Sequence, residues 1–315
     1  MNRENNLSGS AGGEGTVAIG SIPEQKKRTA GMWLEKAAQK WKNHPCSAAA
    51  ALLVWLAGFL TLAVMVFLVG FIVIKGVRYI TPSLFALEYN SENVSLMPAM
   101  INTVMMTGLS LAIAIPVGVF AAIFLVEYAN KGSKIVTVIR LTAETLSGIP
   151  SIIYGLFGML FFSTALRWGY SLLAGSLTLV IMILPLIMRT AEEALLAVPD
   201  SYREASFGLG AGKLRTIFRI VLPTAVPGIL SGVVLATGRI VGETAALLYT
   251  AGSVAQVPNN LFGPGRTLAV HMYVLSSEGL HMNEAYATAV VLLVVVLALN
   301  GLSGLLAKKL SKGRG

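Results

Sequence analysis

Long stretches without a charged residue dominate this chain. They cover Asn43–Ile74, Asn93–Val126, Thr145–Leu166, Trp168–Met188, Ile220–Gly238, Thr244–Gly265 and Ala285–Ala307. A helix that crosses a bilayer needs about 20 mostly apolar residues. Only helices or closed barrels can cross, because backbone polar groups must pair internally. The period-2 alternation of barrel strands is absent. The runs therefore predict an all-α membrane protein with six spanning helices, at 50–76, 98–127, 138–165, 170–193, 223–249 and 285–307. The run after Thr244 completes the fifth span and then becomes a polar loop.

Composition narrows the class further. Hydrophobic residues make up 55% of the chain and charged residues 12%, with a mean hydropathy of +0.73. Soluble domains carry roughly 25% charged residues. A soluble enzyme, a disordered chain and a disulfide-rich scaffold are excluded. The single Cys46 can make neither an internal disulfide nor a thiolate metal site. The first apolar run begins too late, and is too long, for a cleaved signal peptide.

The net charge of +9 reads mostly as topology. Basic residues crowd the N-terminal tail (Arg3, Lys26, Lys27, Arg28, Lys36, Lys40, Lys42) and the loop with Lys131, Lys134 and Arg140. They also crowd the segment with Arg189, Arg203, Lys213, Arg215 and Arg219, and the end with Lys308, Lys309, Lys312 and Arg314. Only Lys75, Arg78, Arg167 and Arg266 fall on the opposite side, and Arg239 falls inside a span. The positive-inside rule then predicts cytoplasmic N- and C-termini in the cell membrane, or the inner membrane where the host has an outer one. No nucleic-acid motif accompanies the charge, so no nucleic-acid partner is expected.

Residues 1–44 read as a cytoplasmic tail, 45–310 as the membrane domain and 311–315 as a second tail. The polar, Gly- and Ser-rich start of the chain has the composition of disorder. Trp33, Ala37 and Trp41 recur at helical spacing opposite Lys36 and Lys40. That pattern fits a helix lying in the interface, and equally a plain juxtamembrane anchor.

Enzyme motifs fail on inspection. Gly208, Gly210 and Gly212 before Lys213 superficially resemble a phosphate-binding loop. The positions that need its first Gly and its Ser or Thr hold Phe207 and Leu214 instead. A dinucleotide pattern fails at Lys213. His44, His271 and His281 lack metal-ligand spacing. The chain has no ATPase machinery of its own and is not expected to be an enzyme.

Two features remain to carry function. The first is the segment 199–222, which predicts a helix, a glycine-rich break, and a second helix with Arg215 and Arg219 on one face. Pro223 marks the start of the fifth span. A helix–turn–helix outside the membrane suits a docking partner, and a re-entrant loop packed on its own bundle fits as well. The second feature is charge inside spans. Arg239 and Glu243 are four apart and predict a shared helical face. Arg189 stands three and four residues before Glu192 and Glu193. An ionisable residue at the membrane centre costs about 2.5–3.5 kcal/mol even on lenient scales. Such groups line a wet path or neutralise one another.

An arginine in a path suits an anion, because its fork matches oxyanion geometry. Glu243 could accept a hydrogen bond from protonated phosphate, which sulfate cannot donate. Helix breakers Pro116, Pro150, Pro185, Pro223 and Pro227 fall in or beside spans. Gly228 with Gly232, and Gly238 with Gly242, predict close helix contact. The Gly148–Gly158 stretch fits either a pore lining or close contact.

Glu204-Ala205-Ser206, then Gly210, then Ile220-x-Leu222-Pro223 resembles the EAA loop of ABC-importer permeases. Ser206 stands where a second Ala is usual. The word Gly148-Ile149-Pro150-Ser151-Ile152-Ile153-Tyr154-Gly155-Leu156-Phe157-Gly158 resembles phosphate-importer permeases. So do Arg189-Thr190-Ala191-Glu192-Glu193-Ala194-Leu195 and Gly238-Arg239-x-x-Gly242-Glu243-Thr244-Ala245. Together, over roughly 50–307, they resemble the PstA branch of the type I, MetI-like permeases. The closing words Arg266-Thr267-Leu268 and Glu284-Ala285-Tyr286 resemble that branch more than the sister PstC branch.

That resemblance implies a permease subunit of an ATP-driven phosphate importer. It implies a PstC-like sister permease, two PstB-like ATP-binding subunits docking at cytoplasmic loops that include 204–222, and a PstS-like external phosphate-binding protein engaging 251–282. ATP and Mg would sit on the ATP-binding partner, and no cofactor on this chain. Arg189, Glu192, Arg239 and Glu243 map onto the substrate pathway; Glu204, Ala205, Gly210, Ile220, Leu222 and Pro223 map onto the coupling loop. Permeases for sulfate or molybdate, and an ATPase-independent transporter or channel, are the rival readings.

Overall fold

The computed structural model describes residues 45–312 apart from Lys131. The polar start of the chain and the face formed by Trp33, Ala37 and Trp41 lie outside the described residues. Every regular element among the described residues is helical. In chain order they are α1 (Pro45–Val77), α2 (Met97–Ile123), α3 (Lys134–Ser147), α4 (Ser151–Gly158), α5 (Leu172–Leu196) and α6 (Asp200–Gly208). There follow α7 (Lys213–Thr216), α8 (Leu222–Val241), α9 (Ala245–Thr250), α10 (Leu268–Glu278) and α11 (Met282–Lys312). Wider π turns extend α2 over Phe124–Tyr128 and α4 over Met159–Ala165, and join α7 to α8 over Ile217–Val221.

The chain divides into two compact units, Met1–Leu68 and Val69–Gly315. The described part of the first is the opening of α1. Its apolar side chains, Trp55, Phe59 and Phe67 among them, are exposed. Only lipid or another apolar chain could cover such a surface.

The second unit is built around α5. That helix packs between α2 and α8, and α8 packs in turn against α11. Leu179, Ile183, Ile187, Ala191 and Leu195 repeat every fourth position of α5 and are fully buried. In lipid, helix association rests on van der Waals contact through small residues rather than on the hydrophobic effect. Gly228 meets Ala194 and Gly232 meets Thr190, so the first glycine pair of α8 is a close contact with α5. The second pair makes no such contact, since Gly238 has only Asn300 Oδ1 within 4.0 Å and Gly242 only its own helix. Gly155 abuts the backbone of Ala246, and Gly158 abuts Thr178 and Thr250. These two glycines of the Gly148–Gly158 stretch thus serve close contact.

Among the described residues, five helices are long and apolar enough to cross a membrane, and a bent pair makes a sixth if counted as one span. That pair is the expected third span. Lys134–Ser147 meets Ser151–Ala165 at 101° instead of running straight over 138–165. Pro150 has no N–H to donate and disfavours helical backbone at Ile149. The Tyr154 hydroxyl donates to the Leu146 carbonyl at 2.7 Å and so ties the two arms together.

The expected fifth span differs at both ends. Pro223 does not mark its start, because Lys213–Val241 runs through without a sharp break. The π turn lies just before Pro223, where the ring removes a helix donor. At the other end the helix stops at Val241, and α9 begins only at Ala245.

Candidate functional site

The break after Val241 separates two charges that the sequence places on one helical face. Arg239 lies in the last turn of α8 and is half-buried. Its side chain has no hydrogen bond or ion pair among the described residues. It lies close enough to Tyr154 for its charge to act on the phenol. Glu243 lies past the helix end and is 8% exposed. Its carboxylate accepts from the Ala246 N–H at 3.0 Å. A carboxylate is favoured there by the positive end of a helix. The expected shared helical face is therefore not formed, and the alternative of mutual neutralisation is not realised either, because the helix ends at Val241 and Glu243 is turned to the start of α9.

A second charged group gathers at the other end of α5. Arg189 pairs with Glu193 at 3.1 Å, with both side chains mostly exposed. Such pairs contribute little. Glu192 pairs instead with Arg140 of α3 at 2.6 Å. Of the two readings open for Arg189 and Glu192, mutual neutralisation is not realised, because Glu192 takes its partner from a different helix. Spacing offers no sign of this partner, because Arg140 and Glu192 have no periodic relation. Arg140, Glu144, Arg189, Glu192 and Glu193 line a cleft of about 310 Å³.

The third group is the segment 199–222. Residues Glu204 and Ala205 sit exposed on α6. Gly210 has a φ of 78°, a left-handed turn that a side chain would strain, and it reverses the chain toward α7. Ser206 Oγ and Thr216 Oγ1 lie 2.8 Å apart and join the two arms. Ile220 and Leu222 are partly buried where the segment enters α8, beside Pro223. Phe207, Leu209, Leu214 and Phe218 are exposed, Leu209 at 90%. A cleft of about 520 Å³ opens between Tyr202, Leu209, Arg215 and Arg219. Among the described residues, no group of His, Cys, Asp or Glu could hold a metal ion.

Residues 114–313 match the family described as the binding-protein-dependent transport system inner membrane component. The chain belongs to this family. It is 34% identical over 259 residues to the probable ABC transporter permease protein YqgI of Bacillus subtilis, covering 76% of this chain and 87% of that one. It is 36% identical over 205 residues to the phosphate transport system permease protein PstA 1 of Mycobacterium tuberculosis, covering 64% and 67%. The methionine ABC transporter MetNI, in an inward-facing conformation, has a chain that superposes with a TM-score of 0.56 at 21% identity over 68% of this chain and 95% of that one. A bacterial alginate ABC transporter superposes with a TM-score of 0.61 at 17% identity over 87% and 98%. The fold is thus that of the MetI-like importer permeases. This permease is a multi-pass membrane protein and a transport component.

Proposed function

We propose that this permease forms the translocation path of an ATP-driven importer of inorganic phosphate. The observation that carries the reading is Arg239, a half-buried cation near the end of a span with no hydrogen bond or ion pair among the described residues. A charge held in a membrane without a counter-charge is costly. A passing oxyanion supplies the missing acceptors through charge-assisted bonds. Similarity to relatives named as phosphate permeases supports phosphate over sulfate or molybdate.

The remaining parts follow from the same reading. The exposed apolar side chains of 199–222 suit a protein surface, and an ATP-binding subunit would engage them, with ATP and Mg held there. Two such subunits, a PstC-like sister permease and a PstS-like phosphate-binding protein complete the importer. The binding protein would meet the 251–282 face. The bias of basic residues supports cytoplasmic termini in the cell membrane. Arg189 and Glu192 would line the path where it leaves toward the coupling loop, with Arg140 as their neighbour.

The test is phosphate uptake into vesicles that contain the full complex, with Arg239→Ala as the variant. Loss of a hydrogen-bonded charge contact, about 1.5–3 kcal/mol, predicts a loss of about ten- to hundredfold. Uptake at the unsubstituted rate would overturn the reading.

A further inference from the structure

The end of α2 holds both arms of the coupling segment through two adjacent residues. Arg203, on α6, donates from Nε and Nη2 to Glu127 Oε1 at 3.0 and 2.9 Å. Its Nη1 donates to the Val198 carbonyl at 2.8 Å and to Asp200 at 3.1 Å, and its Nη2 donates to the Leu195 carbonyl at 3.0 Å. One guanidinium therefore joins the coupling helix, the C-terminal end of α5 and the π turn that ends α2. Next to Glu127, the Tyr128 ring carries Lys213 Nζ at 4.6 Å from its centre, and Lys213 opens the second arm. The ion pair is largely buried, at 14% exposure for Arg203 and 8% for Glu127, so salt screens it weakly.

We propose that Arg203 is a positioning residue that transmits movement of the coupling segment into α2 and α5 together. This rests on the reading of 199–222 as the surface an ATP-binding subunit engages. The second arm is continuous with α8. A push on the segment therefore moves α8 directly. The second arm already packs on α2 and α5 through Ile217 and Val221, whereas the first arm, α6, needs a lateral tie to move with them. The Arg203 fork supplies that tie, because its planar donors hold Glu127 and the α5 carbonyls at once. Buried ion pairs have discrete geometries rather than graded ones, which suits a rigid-body movement.

The experiment uses the complete complex in liposomes with external binding protein, and measures phosphate moved per ATP hydrolysed. For Arg203→Gln we expect the ATP-binding subunit to co-purify and ATP hydrolysis to continue, while phosphate per ATP falls about tenfold. Arg203→Lys keeps the Glu127 pair but not the fork, and should fall between. An unchanged ratio in Arg203→Gln would overturn the proposal. Loss of the ATP-binding subunit would overturn it too, because Arg203 would then belong to the docking surface itself. Should Arg203→Gln fail to accumulate, Lys213→Gln decides the matter, since it sits on the surface and spares the buried pair. A ratio reduced about twofold supports the tie, and an unchanged one refutes it. Leu209→Glu tests the underlying reading separately. It should abolish co-purification, and retention of the subunit would refute the docking surface whatever Arg203 does.

Discussion

Arg140 of α3 reaches Glu192 of α5 across 2.6 Å, and so closes the 101° bend of the third span against the central helix. The Arg140 side chain is 50% exposed while that of Glu192 is 10% exposed. The two ends of this bridge therefore respond differently to removal. Losing Glu192 leaves a cation that water can solvate. Losing Arg140 leaves a buried carboxylate without its counter-charge beside the proposed path for anions. Arg140→Gln should raise the phosphate KM for uptake about fivefold, consistent with a pair worth about 1 kcal/mol. Adding Glu192→Gln should return most of the loss. Uptake rates against phosphate concentration check both, and a double variant as poor as the single one would refute the account.

How much of this was legible beforehand differs from element to element. The apolar stretches could be read because charge-free runs need no knowledge of neighbours, but the bend in the third span and the end of the fifth at Val241 could not. The reversal at Gly210 and the two helices of 199–222 could be read because glycine acts locally, whereas Pro223 misled because the helix runs through it. Pairings between helices could not. Arg140 with Glu192 and Glu127 with Arg203 join residues far apart in sequence, and no period links them. The Arg239–Glu243 face was misjudged for a local reason. Spacing assumes that the helix continues, whereas α8 stops at Val241 and Glu243 caps the next helix. Spacing puts both Glu192 and Glu193 within reach of Arg189, and only tertiary contact shows that Glu192 pairs with Arg140 of α3.

Glu243 offers a test of anion choice that leaves the backbone intact. One carboxylate oxygen accepts from Ala246 N–H, and a glutamine carbonyl can take over that bond. The second oxygen makes no hydrogen bond among the described residues. A protonated phosphate can donate to it, and sulfate has no proton to give. Hydrogen bonds to charged groups contribute about 1.5–3 kcal/mol. Glu243→Gln should therefore cut the preference for phosphate over sulfate by about tenfold or more. Competition of sulfate with phosphate uptake measures it, and an unchanged preference would remove Glu243 from selectivity.

The two glycine pairs of α8 should behave oppositely. A side chain at Gly232 would run into Thr190 of α5, whereas Gly238 has only Asn300 Oδ1 at 4.0 Å. Overfilling a tight contact costs about 1–3 kcal/mol. Gly232→Val should lower the thermal midpoint of the purified protein by several degrees, and Gly238→Ala should leave it within about a degree. Equal effects at both sites would contradict the contact map of α5 and α8.

His271 ties stability to pH outside the spanning helices. It lies on α10, whose 11 residues are too few to cross a bilayer. The residue is fully buried. Burial, and then the charge of Arg266, push its pKa from 6.5 down to about 3. The Arg266 guanidinium lies over the Tyr89 ring at 4.8 Å, and the same ring meets His271 edge-on. The folded protein thus holds a neutral imidazole, while the unfolded chain takes up a proton below its ordinary pKa. The sign follows directly. This contribution is complete above pH 6.5 and is lost as pH falls from there toward 3. Lowering the pH from 7.5 to 5.5 should cost about 1.4 kcal/mol from this residue alone. His271→Phe preserves a buried ring and cannot titrate. Its thermal midpoint should therefore fall less over that interval than that of the unsubstituted protein. Parallel pH curves for the two proteins would show that His271 is not the titrating group.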